Sequence, residues 1–153
     1  MKGKLLCIDH GLKRIGLAVS DALGITAREL TVINRKTNVE DFARINHIAS
    51  EQGVVGIVVG MPVNSEAKPG EYSQGDTVRK WIERYSQTTA LPIITWDEQL
   101  SSLDARELSI QKGRKVRDPI DDLAARVILQ SYLDAVRDGL VENNPVEPPS
   151  HHK

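Results

Sequence analysis

Three short runs of consecutive apolar residues punctuate the chain: Leu5-Leu6-Cys7-Ile8, Val54 to Val59 around Gly56, and Leu91 to Trp96 around Pro92. Runs of this length, bounded by polar and turn residues, read as strands buried on both faces. After the first run, Gly11 permits a sharp turn. Leu12 to Asp21 then reads as a strand returning beside the first. Gly24 marks another turn, and Ala27 to Ile33 reads as a third strand interrupted by Arg28 and Glu29. The short connections predict an antiparallel meander.

Helical spacing takes over at Val39, Phe42, Ile45 and Ala49, with Asn38 as the expected N-cap, Glu40 and Asp41 in the first turn and Gly53 as the stop. The Val54–Gly60 strand, coming after a helix, should run parallel to its neighbour through a right-handed crossover. Asn64 to Gln74 is polar and reads as a loop. Val78, Trp81, Ile82 and Tyr85 mark a second helix reaching about Ser86. Ser101-Ser102-Leu103-Asp104 resembles a capping box opening a helix to about Gln111. Asp118-Pro119 starts the last helix, with an apolar stripe of Ile120, Leu123, Ala124, Val127, Ile128, Ala135 and Val136. The order β-β-β-α-β-α-β-α-α predicts an α/β fold. Its mixed five-stranded sheet has strands 1–3 antiparallel and strands 4 and 5 parallel, flanked by helices. One domain is expected over 1–140. The proline-bearing segment 141–153 is expected to be a flexible tail.

Composition narrows the function classes. Aromatic residues are 4% of the 153 residues, so stacking of bases on aromatic platforms is not the expected mode of nucleic-acid binding. The single cysteine, Cys7, excludes an internal disulfide and reads as a small buried hydrophobe. No signal pattern and no membrane-length apolar stretch is present, which predicts a cytoplasmic protein with no membrane partner. Net charge is −1, but its distribution is uneven. Residues 1–36 hold seven Lys/Arg against three Asp/Glu, and Lys112 to Arg117 places four cations in six residues. A local basic patch can hold phosphates whatever the total charge.

Three acids stand at comparable places. Asp9 ends the first buried strand, Glu98 follows the last, and Asp121 lies in the first turn of the last long helix, with Asp122 competing for its role one residue on. If strands one, four and five are parallel neighbours, their C-terminal ends share the rim where α/β sheets place ligands. Carboxylates gathered there repel one another unless a cation lies between them. All-oxygen ligation selects a hard ion such as Mg²⁺ or Mn²⁺. Such an ion can activate water against a phosphodiester, with Lys13, Arg14, Arg114, Lys115 and Arg117 holding the backbone of a nucleic-acid partner.

The residues that carry this pattern resemble the YqgF/RuvX-type nucleases over about residues 4–136. The matching motifs are Ile8 to Ala18 with Ser20-Asp21, Val58-Val59-Gly60-Met61-Pro62, Asp97 to Ser102, and Ile120 to Ala125 running into Ile128-Leu129-Gln130. The resemblance implies an RNase H-like fold and a metal-dependent endonuclease that matures the 5′ end of pre-16S ribosomal RNA, in the service of ribosome biogenesis. An alternative within the family is Holliday junction resolution. It also implies that the acidic triad is Asp9, Glu98 and Asp121; the choice of Asp121 over Asp122 rests on the resemblance alone. The chain departs from the family pattern at His10, where an aromatic is usual, at Leu12 in place of threonine and at Gln99 in place of arginine. The loop Asn64 to Gly70 is also atypical. These departures motivate a second reading, a nucleic-acid-binding module with weak or no cleavage. A third, nucleotide binding by the Asp-x-Gly turn as in actin-like ATPases, is disfavoured by a chain too short for two such domains. The sequence leaves monomer and homodimer open.

Overall fold

The computed structural model of the chain describes residues 3–61, 74–97 and 121–139. The strands are β1 (Leu5–His10), β2 (Arg14–Ser20), β3 (Ala27–Asn34), β4 (Gly56–Met61) and β5 (Ile93–Asp97). The helices are α1 (Asn38–Gln52), α2 (Gln74–Ser86) and α3 (Asp121–Arg137). One sheet runs in the order β3-β2-β1-β4-β5. β1–β2 and β2–β3 are antiparallel, while β1–β4 and β4–β5 are parallel. This is the expected meander followed by two parallel strands.

β1 is the central strand, and all six of its residues are buried. Alternation along it divides the core into two layers. Leu6 and Ile8 pack with Phe42 and Ile45 of α1 and with Val78, Trp81 and Tyr85 of α2. Leu5 and Cys7 face the other way, into Ala125, Ile128, Leu129 and Tyr132 of α3. Cys7 is the buried small side chain expected of it.

Several details differ from the sequence expectations. β1 continues through Asp9 to His10, so the acid lies inside the strand rather than just beyond it. The N-cap of α1 is Thr37, not Asn38. Its hydroxyl accepts from the Glu40 amide at 3.2 Å and donates to Oε1 of Glu40 at 3.0 Å, so the cap sits one residue earlier than expected. Val39 is 77% exposed, so the apolar stripe of α1 begins at Phe42. Gly53 ends the helix as expected, in the left-handed conformation at φ 66°, with the Val54 amide donating to the Ala49 carbonyl. In α3 the buried stripe is turned toward Ala125, Leu129, Tyr132 and Leu133, while Ala124 and Val127 are only half-buried. β5 is buried at Ile93 and Ile94 and exposed at Thr95.

The interruption at Arg28-Glu29 has a structural cause. Leu17 pairs with Thr31 and Ala18 with Glu29, so Leu30 is an extra residue. That bulge turns the strand over. Glu29, before it, meets Arg126 of α3 at 3.0 Å, whereas Ile33, after it, packs in the α1/α2 layer. The helix expected over 101–111, most of the 64–74 loop, the basic loop 112–117 and the 141–153 tail lie outside the described residues.

Candidate active site

Asp9 is 9% exposed, near the C-terminal end of the central strand. By alternation it follows Leu5 and Cys7 onto the α3 face. Its partner across the β1–β2 ladder is Gly16. On the other side Ile8 pairs with Val59, and the next residue of β4 is Gly60. Glycines therefore flank the acid on both neighbouring strands, and neither adds a side chain beside the carboxylate. Sequence reasoning quoted both glycines inside motifs without assigning them this role; only strand pairing reveals it.

The hairpin after Asp9 is tight. The Gly11 amide donates to the Arg14 carbonyl at 2.9 Å. A Cβ on Gly11 would lie 2.5 Å from that same carbonyl oxygen, so close approach rather than an unusual φ requires glycine here. Leu12 and Lys13 form the exposed tip, with Leu12 at 81% exposure, and Arg14 begins β2 exposed. Lys13 and Arg14 thus stand at the rim that follows Asp9.

The direction of α3 bears on the second acid. Leu133 and Val136, near its C-terminal end, line a cavity with Gly3 and Leu5 at the beginning of β1. Midway along, Ser131 accepts from the Trp96 indole at 3.1 Å and Gln130 accepts from the Ala27 amide at 2.8 Å. α3 therefore runs antiparallel to β1, and its first residue, Asp121, is at the end toward Asp9. The side chains of Asp121 and Asp122 lie outside the described residues, as do Glu98, Gln99, Arg114, Lys115 and Arg117. Among the described residues no group of three metal-ligating side chains converges. Asp9 itself fits a hard divalent cation in donor chemistry and in its place at the strand end.

His10 faces the opposite side of the sheet. It is 7% exposed, and its ring centroid lies 4.9 Å from that of Trp81. Burial is the main reason its imidazole is lowered to about 4. The nearby Arg35 charge adds to the effect, and a bond to its own backbone and Asp41 oppose it. The ring is neutral at pH 7. It borders a cavity of about 250 Å³ lined also by Arg35, Asn38, Lys80, Trp81 and Arg84. These basic residues were not singled out from sequence. The available signal was Lys80 and Arg84 one helical turn apart, flanking Trp81, but periodicity alone does not say which strand α2 covers. Asp41, in the first turn of α1, is more than a helix-dipole charge. It is fully buried, with Oδ1 accepting from the Lys36 amide at 3.0 Å, and with Arg35 and Arg44 at 3.6 and 3.7 Å.

A β3-β2-β1-β4-β5 mixed sheet between helical layers, with an acid at the end of its central strand, is the RNase H-like fold. The family profile of RuvX, described as "Holliday junction resolvase", matches residues 3–135, and the chain belongs to this family. A protein of Thermoanaerobacter pseudethanolicus named "Putative pre-16S rRNA nuclease" is 40% identical over 136 residues, 86% of this chain and 96% of the relative. One of the same name from Desulforamulus reducens is 44% identical over 136 residues, 86% of this chain and 97% of the relative. Among solved structures, Thermus thermophilus RuvC in complex with a Holliday junction substrate aligns with a TM-score of 0.58 at 17% identity. That alignment covers 94% of this chain and 99% of that one. A fowlpox virus resolvase bound to Holliday junction DNA aligns at 0.51 and 13% identity, covering 87% and 98%. The likeness to these structures is one of fold. Family membership makes the chain a nuclease, a hydrolase of phosphodiester bonds.

Proposed function

We propose that this protein is a divalent-metal-dependent endonuclease that processes the 5′ end of pre-16S ribosomal RNA in the cytoplasm. The observation that carries the reading is the buried Asp9 at the end of the central strand, flanked by glycines, on the face where α3 starts with Asp121. Asp9, Glu98 and Asp121 would hold Mg²⁺ or Mn²⁺, which when bound supplies an activated water and neutralises charge on the phosphodiester. Lys13 and Arg14 bind the substrate backbone and orient it over Asp9, with Arg114, Lys115 and Arg117 as further phosphate contacts. The names of the curated relatives support the RNA substrate.

The family description and the fold shared with RuvC support a second reading, resolution of branched DNA. Cleavage of a pre-16S 5′ leader and of a four-way DNA junction, side by side with Mn²⁺, decides between them. The RNA reading expects leader cleavage at the faster rate and loss of at least about 100-fold in Asp9→Asn. Equal cleavage by wild type and Asp9→Asn overturns the assignment of Asp9, and junction-only cleavage overturns the RNA substrate.

A further inference from the structure

Of the seven cations in residues 1–36, the proposed nuclease site uses Lys13 and Arg14. Arg35 and Lys36, consecutive at the junction of β3 and α1, have no part in it. β3 runs parallel to β1, because each is antiparallel to β2. Its C-terminal end therefore lies at the same rim as Asp9 and the β1–β2 turn. β1 and β3 are two strand spacings apart, about 10 Å. The β1–β2 turn reaches across that gap, and the Arg35 amide donates to the Lys13 carbonyl at 2.9 Å. Lys13 and Lys36 are thereby mounted on two turns that are bonded to each other.

The two consecutive cations are used differently. Each nitrogen of the Arg35 guanidinium is directed to the protein. Nη1 donates to the Gly11 carbonyl at 3.2 Å, Nη2 donates to Oδ1 of Asn38 at 3.1 Å, and Nε lies 3.6 Å from Oδ2 of Asp41. Arg35 is a brace between the turn after β1 and the start of α1. Lys36 is the reverse case. Its amide donates to Oδ1 of Asp41 at 3.0 Å, which fixes its backbone, and its side chain is exposed, as is that of Lys13. Among the described residues neither lysine is paired with a carboxylate. The first-turn acids of α1 are engaged elsewhere. Glu40 accepts from the Thr37 hydroxyl at 3.0 Å, and Asp41 is buried against Arg35 and Arg44.

We propose that Lys36 is a further nucleic-acid contact, forming with Lys13 a two-lysine clamp on backbone phosphates of the RNA strand that crosses the Asp9 rim. Neighbouring ammonium groups without a carboxylate partner favour a polyanion, which meets them by releasing its own counterions. An ammonium is a compact charge without the planar fork of arginine, and it suits phosphate oxygens rather than a base edge. The clamp therefore positions the strand and carries no base specificity. It rests on the reading of Lys13 as a substrate contact, and the test separates the two.

The test measures binding of the full chain in EDTA to a fluorescein-labelled 12-nucleotide RNA, by anisotropy at several KCl concentrations. Lys36→Gln is expected to lower the slope of log affinity against log salt by about 0.7, for one lost contact on a single strand, and to weaken binding about fivefold at 0.1 M salt. Lys13→Gln is expected to do the same, and the double variant to lower the slope by about 1.4. Both side chains are exposed, and Lys36 meets Asp41 through its amide, so these substitutions leave the bonds of the fold in place. Lys4→Gln removes the same charge just before β1, at the opposite end of that strand, and is expected to leave the slope unchanged. An unchanged slope in Lys36→Gln overturns the proposal. If Lys13→Gln lowers the slope all the same, the Lys13 contact stands alone; if neither does, the Lys13 reading falls as well. A slope lowered in Lys36→Gln but not in Lys13→Gln overturns the clamp. An equal fall in Lys4→Gln also overturns it, by reducing the effect to total charge.

Discussion

Asp9 and His10 are consecutive residues buried on opposite faces of one sheet, the first toward α3 and the second against Trp81 of α2. Strand alternation makes this unavoidable. It places the proposed metal ligand and the basic cavity back to back at one end of the central strand.

Metal binding should be visible as stability. A ligand held only by the folded state stabilises by about 2.7 kcal/mol at 100 times its dissociation constant. For a chain of this size that is a rise in melting temperature of about 5–10 °C. Mn²⁺ is expected to raise the melting temperature of wild type by that order and that of Asp9→Asn by less than about 2 °C. An equal rise in both, read by differential scanning calorimetry, removes Asp9 from the metal site.

The lowered His10 imidazole sets a pH dependence in the metal-free protein. The folded ring titrates near 4 and the unfolded ring near 6.5, so between these values the unfolded chain binds more protons. Stability must therefore fall as pH drops from 6.5 toward 4, by about 2 kcal/mol after allowing for solvent screening. Urea unfolding in EDTA across this window should show the slope in wild type and a flatter profile in His10→Phe. Parallel profiles contradict the burial of a neutral ring.

At Gly11 the limit is space. Gly11→Ala sets a methyl 2.5 Å from the backbone oxygen of Arg14, which has no rotamer to yield. The hairpin must shift, at a cost of about 2 kcal/mol. A urea midpoint within error of wild type would show that the turn adapts without strain.

Asp41 carries a structural load. Asp41→Asn leaves Arg35 and Arg44 without their buried counter-charge and is expected to destabilise by about 2–3 kcal/mol. Arg35 also donates to the Gly11 carbonyl at 3.2 Å, so the β1–β2 turn should lose amide protection in the same variant. Hydrogen exchange reads both effects, and an unchanged Gly11 region would limit the role of Asp41 to its own helix.

How much of this was legible in advance depended on whether the signal was local. β1 and β4 announced themselves as apolar runs, and α1 through Phe42, Ile45 and Ala49, because burial on one face leaves a period in the chain. Asp9 stood out because it follows four apolar residues without a break. The bulge at Leu30 showed only as a broken alternation, since a bulge is defined by its partner strand. The glycine pair around Asp9 depends on β1–β2 and β1–β4 register, which no single stretch encodes. The convergence of Arg35, Lys80 and Arg84 beside His10 joins segments far apart in the chain and depends on how α1 and α2 dock, whereas the ion pairs of Asp41 with Arg35 and Arg44 are local in sequence but are fixed only by the folded geometry. Thr37 won the N-cap from Asn38 because its hydroxyl reaches the Glu40 amide, a choice between adjacent capping residues that composition leaves even.

The central position of β1 has a further consequence. Its ladder is held by β2 on one side and β4 on the other, with a helical layer above and below. Amides in such a strand open only when the whole domain unfolds, whereas hairpin tips and edge strands open locally. Cys7, Ile8 and Asp9 should thus be among the slowest-exchanging amides in the molecule. The carboxylate proposed to fix the metal is mounted on the part of the protein that moves least, so adaptation to an irregular nucleic-acid substrate falls to the exposed Leu12-Lys13-Arg14 tip beside it.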